Sequence, residues 1–319
     1  MLTTKVRLLF GREGGALSEQ TPPNTAEKAL VTDEDVSSVS QAAEAPARVW
    51  SSARLGLMRD LWGDGYICPG GDPEILRLTR PLGLSSNLSL LIVGVGAGGA
   101  AATVVRNLGA WVTGLESDAD LLTATEGYIH RVQLGRKVAL VNWDPNNPVF
   151  AGQTHHHCLA LQPLHGAQPE PVLDMLVRAL KPVGQLVMTE LVADPPLNSA
   201  DPVVRRWAEL ERLDPAAIPS GIAITRMIGR VGLDVRVNED ISPRQMEQAL
   251  VGWRGFVRDL RGHRPAPAEA AVMVEEAELW LLRRRLMRTG RLKLMRWHAI
   301  GRPPRSQPGF PMVKGLSTA

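Results

Sequence analysis

The stretch that most restricts what this chain can become is Leu90-Leu91-Ile92-Val93-Gly94-Val95-Gly96-Ala97-Gly98-Gly99. Consecutive large apolar residues without polar alternation predict a strand buried on both faces. The glycines that follow permit left-handed backbone and close approach of a ligand. Small residues through Ala102 let a helix open tightly against the sheet, its free N–H groups facing the turn. A second strand, Trp111 to Glu116, then ends in a carboxylate. An acid about 20 residues beyond the first glycine is where α/β nucleotide folds hold ribose hydroxyls. The centre of the chain therefore predicts a site for an adenosine-containing cofactor.

Similar units repeat downstream. Strands are expected at 88–93, 111–116, 138–143, 155–161 and 185–190, with helices at about 118–131 and 169–180 between them. Alternation at this spacing implies a parallel sheet covered by helices on both faces, with ligands at the carboxyl ends of the strands. Glu116, Asp144, His165 and Glu190 fall at or just past those ends. Helical spacing also marks 49–62, 72–78, 201–213, 219–231, 243–261 and 267–289, with further strands at 234–237 and 294–300. The fold class expected is α/β: a doubly wound, mostly parallel seven-stranded sheet with N-terminal helices and a helical insertion as lid. The core sheet is assigned to 88–240 and the helical cap to 195–230 and 243–289 of a domain spanning 46–302. Residues 1–45 hold too few large apolar side chains to offset chain entropy and read as a disordered tail, and 303–319 as a second tail.

Composition narrows the surroundings. No apolar run reaches the roughly 18 residues of a membrane span, and no signal-peptide core is present, so a cytoplasmic protein is expected. Cys68 and Cys158 lie far apart and read as reduced thiols. The net charge of +3 conceals ten basic and no acidic residues from Leu279 onward, leaving 26 basic against 33 acidic residues elsewhere. Such a block fits an anionic substrate or an anionic membrane surface, or simply compensates an acidic body. With only four Phe and two Tyr the chain has no aromatic platform for bases, which disfavours nucleic acid. Adjacent strand residues point to opposite faces, so His155-His156-His157 cannot chelate one ion and no metal is expected.

Gly94, Gly96 and Gly99 satisfy G-x-G-x-x-G, which leaves a dinucleotide oxidoreductase open. Further along, Leu180-Lys181-Pro182-Val183-Gly184 precedes the fifth strand and Val231-Gly232-Leu233 the sixth. In this order the chain resembles class I S-adenosylmethionine-dependent methyltransferases over about 88–240. Trp62-Gly63-Asp64-Gly65-Tyr66-Ile67-Cys68-Pro69-Gly70-Gly71 is similar to the lid segment of phosphoethanolamine N-methyltransferases, and Lys293-Leu294-Met295-Arg296-Trp297 to their closing strand.

The resemblance implies S-adenosylmethionine as cofactor. Gly94, Gly96 and Gly98 would lie around its methionine part, Glu116 on the ribose, Asp144 at the adenine, and Tyr66, Ile67 and Cys68 in the lid. It implies His165 as the active-site histidine and Arg283, Trp50 and Trp207 at acceptor positions. The chain departs from the pattern at Ile92, where an Asp is usual, and at Trp50, Trp207, Glu211 and Leu213, where Tyr, Tyr, Arg and Tyr stand. Methyl transfer needs little beyond alignment, exclusion of water and one group to take a proton, for which His165 is suited. The expected activity is methylation at N or O of a small or lipid-like acceptor, an anionic one among those that the basic block fits. A catalytically inactive relative acting through protein or membrane contacts is the alternative that Ile92 motivates.

Overall fold

In this computed structural model residues 49–260 and 265–302 are described. The chain forms α1 (Ser52–Trp62), α2 (Gly71–Thr79), β1 (Ser89–Val93), α3 (Gly99–Leu108), β2 (Trp111–Glu116), α4 (Ala119–Arg131) and β3 (Val138–Asn142). There follow β4 (His155–Leu161), α5 (Pro169–Ala179), β5 (Leu180–Val192), α6 (Pro202–Glu211), α7 (Gly221–Arg230), β6 (Leu233–Asp240), α8 (Ser242–Asp259), α9 (Pro267–Arg288) and β7 (Lys293–Gly301). The tails expected at 1–45 and 303–319 lie outside the described residues. Among those residues no helix is long and apolar enough to cross a membrane.

The strands make one sheet in the order β3-β2-β1-β4-β5-β7-β6. The first five pair in parallel, and β7 runs antiparallel to both β5 and β6. Strand alternation sends Leu90 and Ile92 into a core beneath α2, α3 and α4, together with Leu159 and Val187. Leu91 and Val93 point the other way, into a core with Cys158, Leu186, Met188 and the apolar faces of α5 and α7. The unbroken apolar run of β1 is thus accounted for by two separate cores. Because β2 and β4 flank β1, the chain direction around the sheet reverses there, and the glycine turn sits at the resulting crevice.

Above the carboxyl ends lies a helical cap. Trp62 of α1, Trp253 of α8 and Trp280 of α9 pack together, and α6 docks on α9 through Val204, Trp207, Leu279 and Leu286. Two assignments made from sequence change here. Helix α7 does not belong to the cap, since Ile224, Met227 and Ile228 are buried against the sheet. The core sheet does not end at 240, because β7 enters it between β5 and β6.

Two of the three histidines that open β4 cap backbone groups of neighbouring strands. The β4–β5 register slips between His155 and His157. There His156 Nδ1 accepts from the Ser89 N–H at 3.0 Å and His157 Nδ1 from the Gln185 N–H at 3.3 Å. These two ring nitrogens thus satisfy backbone N–H groups of β1 and β5, the strands on either side of β4.

Candidate cofactor and acceptor site

Gly94, Gly96 and Gly98 all have positive φ, at 75°, 63° and 98°. A Cβ on Gly94 would stand 2.4 Å from the Leu161 carbonyl oxygen, so the close approach of β1 to β4 requires glycine there. The turn is fastened from two sides. The Gly96 N–H donates to Glu116 Oε2 at 2.9 Å, and the Thr125 hydroxyl of α4 donates to the Gly96 carbonyl. Glu116 Oε1 accepts from the Ser117 and Asp118 N–H groups at 2.9 and 3.2 Å. The carboxyl is buried, which pushes its pKa up against the pull of these backbone bonds. None of the bonds it makes is to a cation.

The lid residues divide. The Gly65 carbonyl accepts from the Gly99 N–H at 2.7 Å, docking the lid on the first turn of α3. The Tyr66 hydroxyl turns to Asp72, Thr103 and the Gly99 carbonyl, anchoring the lid to α2 and α3, and burial drives its pKa up. Ile67 lies on the glycine turn, with Cδ1 and Cγ1 both 3.2 Å from where a Gly96 Cβ would be. The Cys68 thiol is pushed up to about 11 by burial and feels Arg283 and Glu74, which places it between lid and cap. Asp144 is exposed and accepts from the Asn146 N–H at 2.9 Å, opening a turn beyond β3. Ile92 is fully buried in the core and brings no polar atom to the crevice.

The acceptor-side residues form a second group. Glu190 is buried near the end of β5 and accepts from the Leu164 and Leu191 N–H groups at 2.8 and 2.9 Å. It therefore ties β5 to the loop bearing His165, and burial pushes its pKa up to about 7. His165 is exposed, yet burial of its ring by surrounding protein holds its pKa below the ordinary value, with Glu211 opposing and Arg283 adding to the shift. Arg283 donates through Nη2 to Glu211 Oε1 at 2.6 Å and lies over the Trp280 ring at 5.0 Å. The sole cation retained at the acceptor positions is thus already paired with an acid.

The two tryptophans assigned to the acceptor are placed differently. Trp207 is fully buried between α6 and α9, one turn before Glu211. Trp50 is half-buried under the Arg54 guanidinium at 4.5 Å, and Arg54 pairs with Glu276 at 3.3 Å. Glu276 and Thr125 escaped the sequence reading. Glu276 accepts from the Trp280 indole N–H at 2.9 Å, and its only sequence signal is the four-residue spacing on one helix face. Two members of the basic block beyond Leu279 also pair with acids, Arg291 with Asp201 at 2.8 Å and Arg296 with Glu239 at 3.1 Å.

A cavity of about 630 Å³ opens on the flank between α1, α4, α8 and the lid, bordered by Gly56, Tyr128, Phe256 and Met273. It touches the turn at Ala97 and includes neither Glu116 nor His165. The chemistry above lies elsewhere, at the carboxyl ends of the strands.

No protein-family profile matches the sequence. Over 166 residues the chain is 28% identical to the sterol 24-C-methyltransferase of Eremothecium gossypii, a match covering 51% of this chain and 44% of that protein. Among solved structures it is similar to Haemonchus contortus phosphoethanolamine N-methyltransferase 2 in complex with S-adenosyl-L-methionine. That match has a TM-score of 0.68 and 17% identity, over 78% of this chain and 57% of the other. The fold is that of the class I S-adenosylmethionine-dependent methyltransferases. Geranyl diphosphate C-methyltransferase of Streptomyces coelicolor shares it at a TM-score of 0.55 and 15% identity, over 71% of this chain and 79% of the other. The [4+2]-cyclase SpnF shares it at 0.57 and 19%, over 81% and 99%. This chain spans less than half of the curated relative it matches. The antiparallel β7 between β5 and β6 departs from the 3-2-1-4-5-6 order of dinucleotide-binding sheets, which removes the support that G-x-G-x-x-G lent to an oxidoreductase.

Proposed function

We propose that this chain binds S-adenosylmethionine in the crevice after β1 and β2 and transfers its methyl group to a small-molecule acceptor held beside His165. The observation that carries this reading is Glu116: a buried carboxylate at the end of β2, bonded to the glycine turn and to no cation. Such a group gains most from hydroxyl donors, and a ribose diol supplies two. The sulfonium supplies an activated methyl group. The chain's own part is to align the acceptor, exclude water and take its proton. His165 fits the last task, because a depressed pKa keeps the ring neutral and able to accept at neutral pH. Gly94, Gly96 and Gly98 would receive the methionine part, Ile67 covering it from the lid. Asp144 would read the adenine after leaving its turn.

The test is calorimetric titration with S-adenosylmethionine and S-adenosylhomocysteine for the wild type and Glu116→Gln. Micromolar binding by the wild type, weakened at least tenfold in the variant, is expected. Absence of heat with either ligand from a folded sample overturns the reading. A second reading is favoured by Ile92, which leaves the ligand's amino group without the usual acid. In it the chain binds the cofactor weakly or not at all and acts through protein or membrane contacts, and turnover against an acceptor panel separates the two.

A further inference from the structure

We propose that Thr125 of α4 is a positioning residue of the cofactor crevice: it aims the Ala97 N–H of the glycine turn at the carboxylate of the ligand's methionine part. The inference deepens the S-adenosylmethionine reading and rests on it.

The turn spends nearly all its backbone donors on the protein itself. The Gly94 and Val95 N–H groups both donate to the Leu115 carbonyl, at 3.0 and 3.1 Å, and Gly96 donates to Glu116 Oε2 at 2.9 Å. Gly98 donates to the Val95 carbonyl at 3.2 Å and Gly99 to the Gly65 carbonyl at 2.7 Å. Between them the half-buried Ala97 N–H has no partner among the described residues. A backbone donor held in a partly desolvated turn calls for an acceptor. On the methionine part the ammonium only donates, whereas the carboxylate only accepts. A carboxylate oxygen on this N–H makes a charge-assisted bond.

The direction of that N–H is set from α4. Thr125 is fully buried, and its hydroxyl donates to the Gly96 carbonyl. The same oxygen stands 2.8 Å from the Leu121 carbonyl, the ordinary back-bond of a helical threonine, so it bridges helix and turn. The Gly96–Ala97 peptide is trans, and in a trans peptide the carbonyl and the N–H point in opposite directions. Holding the Gly96 carbonyl on α4 therefore turns the Ala97 N–H away from α4. The peptide before Gly96 is fixed separately, by the bond of its N–H to Glu116. Among the described residues only the Thr125 hydroxyl fastens the peptide after it. The methyl group of Thr125 has a different task, packing 3.1 Å from where a Gly98 Cβ would be. Hydroxyl and methyl are thus separable by substitution.

The experiment titrates the full chain calorimetrically with S-adenosylhomocysteine and with S-adenosyl-3-thiopropylamine, the same molecule without its carboxylate. The wild type is expected to bind the first about tenfold more tightly, the size of one charge-assisted hydrogen bond. Thr125→Val keeps the shape and removes the hydroxyl. It should bring the two affinities within about threefold by weakening S-adenosylhomocysteine, with the thiopropylamine unchanged. Thr125→Ser retains the hydroxyl and should keep the wild-type ratio. Thr125→Ala, a second variant without the hydroxyl, takes the place of Thr125→Val should that one misfold. Equal weakening of both ligands would mean that Thr125 only supports the fold, and it overturns the proposal. An unchanged ratio in the hydroxyl-less variant, or a wild type indifferent to the carboxylate, overturns it as well. Folded wild-type protein that binds neither ligand overturns the cofactor reading and this proposal with it.

Discussion

Glu190 ionises near neutrality inside the protein, because burial opposes its charge more strongly than two backbone N–H donors support it. Its pKa in the folded chain is about 7, above the ordinary value of 4.5. A carboxyl raised by folding contributes stability that is fully present below its unfolded pKa and lost as pH rises through the folded one. The window is therefore from about pH 4.5 to pH 7, and the loss is on the order of 3 kcal/mol. Glu190→Gln carries no titrating proton, so the stability of the wild type relative to this variant should fall across that window. Urea denaturation of both proteins at pH 5, 6 and 7.5 checks it; parallel curves would show that Glu190 does not titrate there. The position of this acid at a strand end was legible in the sequence, and its partner was not. The Leu164 N–H lies 26 residues away and across a strand crossover, and no local spacing records such a contact. Arg283 shows the same limit, since its family position marked a cation while the neutralising Glu211 sits 72 residues earlier.

The lid is an element whose docking depends on one glycine. Gly65 has φ +83°, and a Cβ there would stand 2.7 Å from Tyr128 Cε1 and 2.8 Å from the Gly99 nitrogen. The second is backbone of α3 and cannot swing aside. Gly65→Ala should therefore destabilise the fold by about 3 kcal/mol, from left-handed strain and steric overlap together. It should also weaken S-adenosylhomocysteine binding, because the lid no longer rests on the turn. Gly135→Ala, which would meet nothing within 4 Å, is the control and should be neutral. Denaturant midpoints of both variants decide it, and equal midpoints would mean that the lid is not held at Gly65. Most elements were readable because apolar spacing reflects burial, which local sequence records well. What spacing does not record is which surface an apolar face meets. Helix α7 carries a regular apolar stripe that serves the sheet as well as it would serve a cap, and the stripe alone does not choose. The opening histidines of β4 resisted reading for a related reason, as the backbone groups they serve, on Ser89 of β1 and Gln185 of β5, are distant in sequence.

At the scale of the molecule, sheet and cap are joined by the path of the chain. After β6 the chain leaves for α8 and α9 and returns as β7, which inserts between β5 and β6. The strand at the sheet edge, β6, thus pairs with β7, which arrives more than fifty residues later in sequence. Strand β7 carries Trp297, fully buried in the core under α5 and α7, and Leu294, in the cap core with Trp207. Class and parallel order were legible from alternating strands and helices, but the insertion of β7 was not, because partner choice at long range leaves no periodic trace. The consequence is that cap and sheet should unfold together. A chain ending at Gly290 keeps every cap helix and six strands, yet leaves β6 without a neighbour and exposes the edge of β5 along eight paired residues. Unpaired backbone on a buried strand and the loss of Trp297 from the core each suffice to abolish a single cooperative transition. The truncated chain is therefore expected to lose its sharp urea transition and its near-ultraviolet circular dichroism while retaining much of its helical signal. A truncated chain that melts cooperatively within a few degrees of the full one would mean that the sheet is complete without β7. The cap would then be an independent unit, and Glu211 and Arg283 would be held by the helices alone.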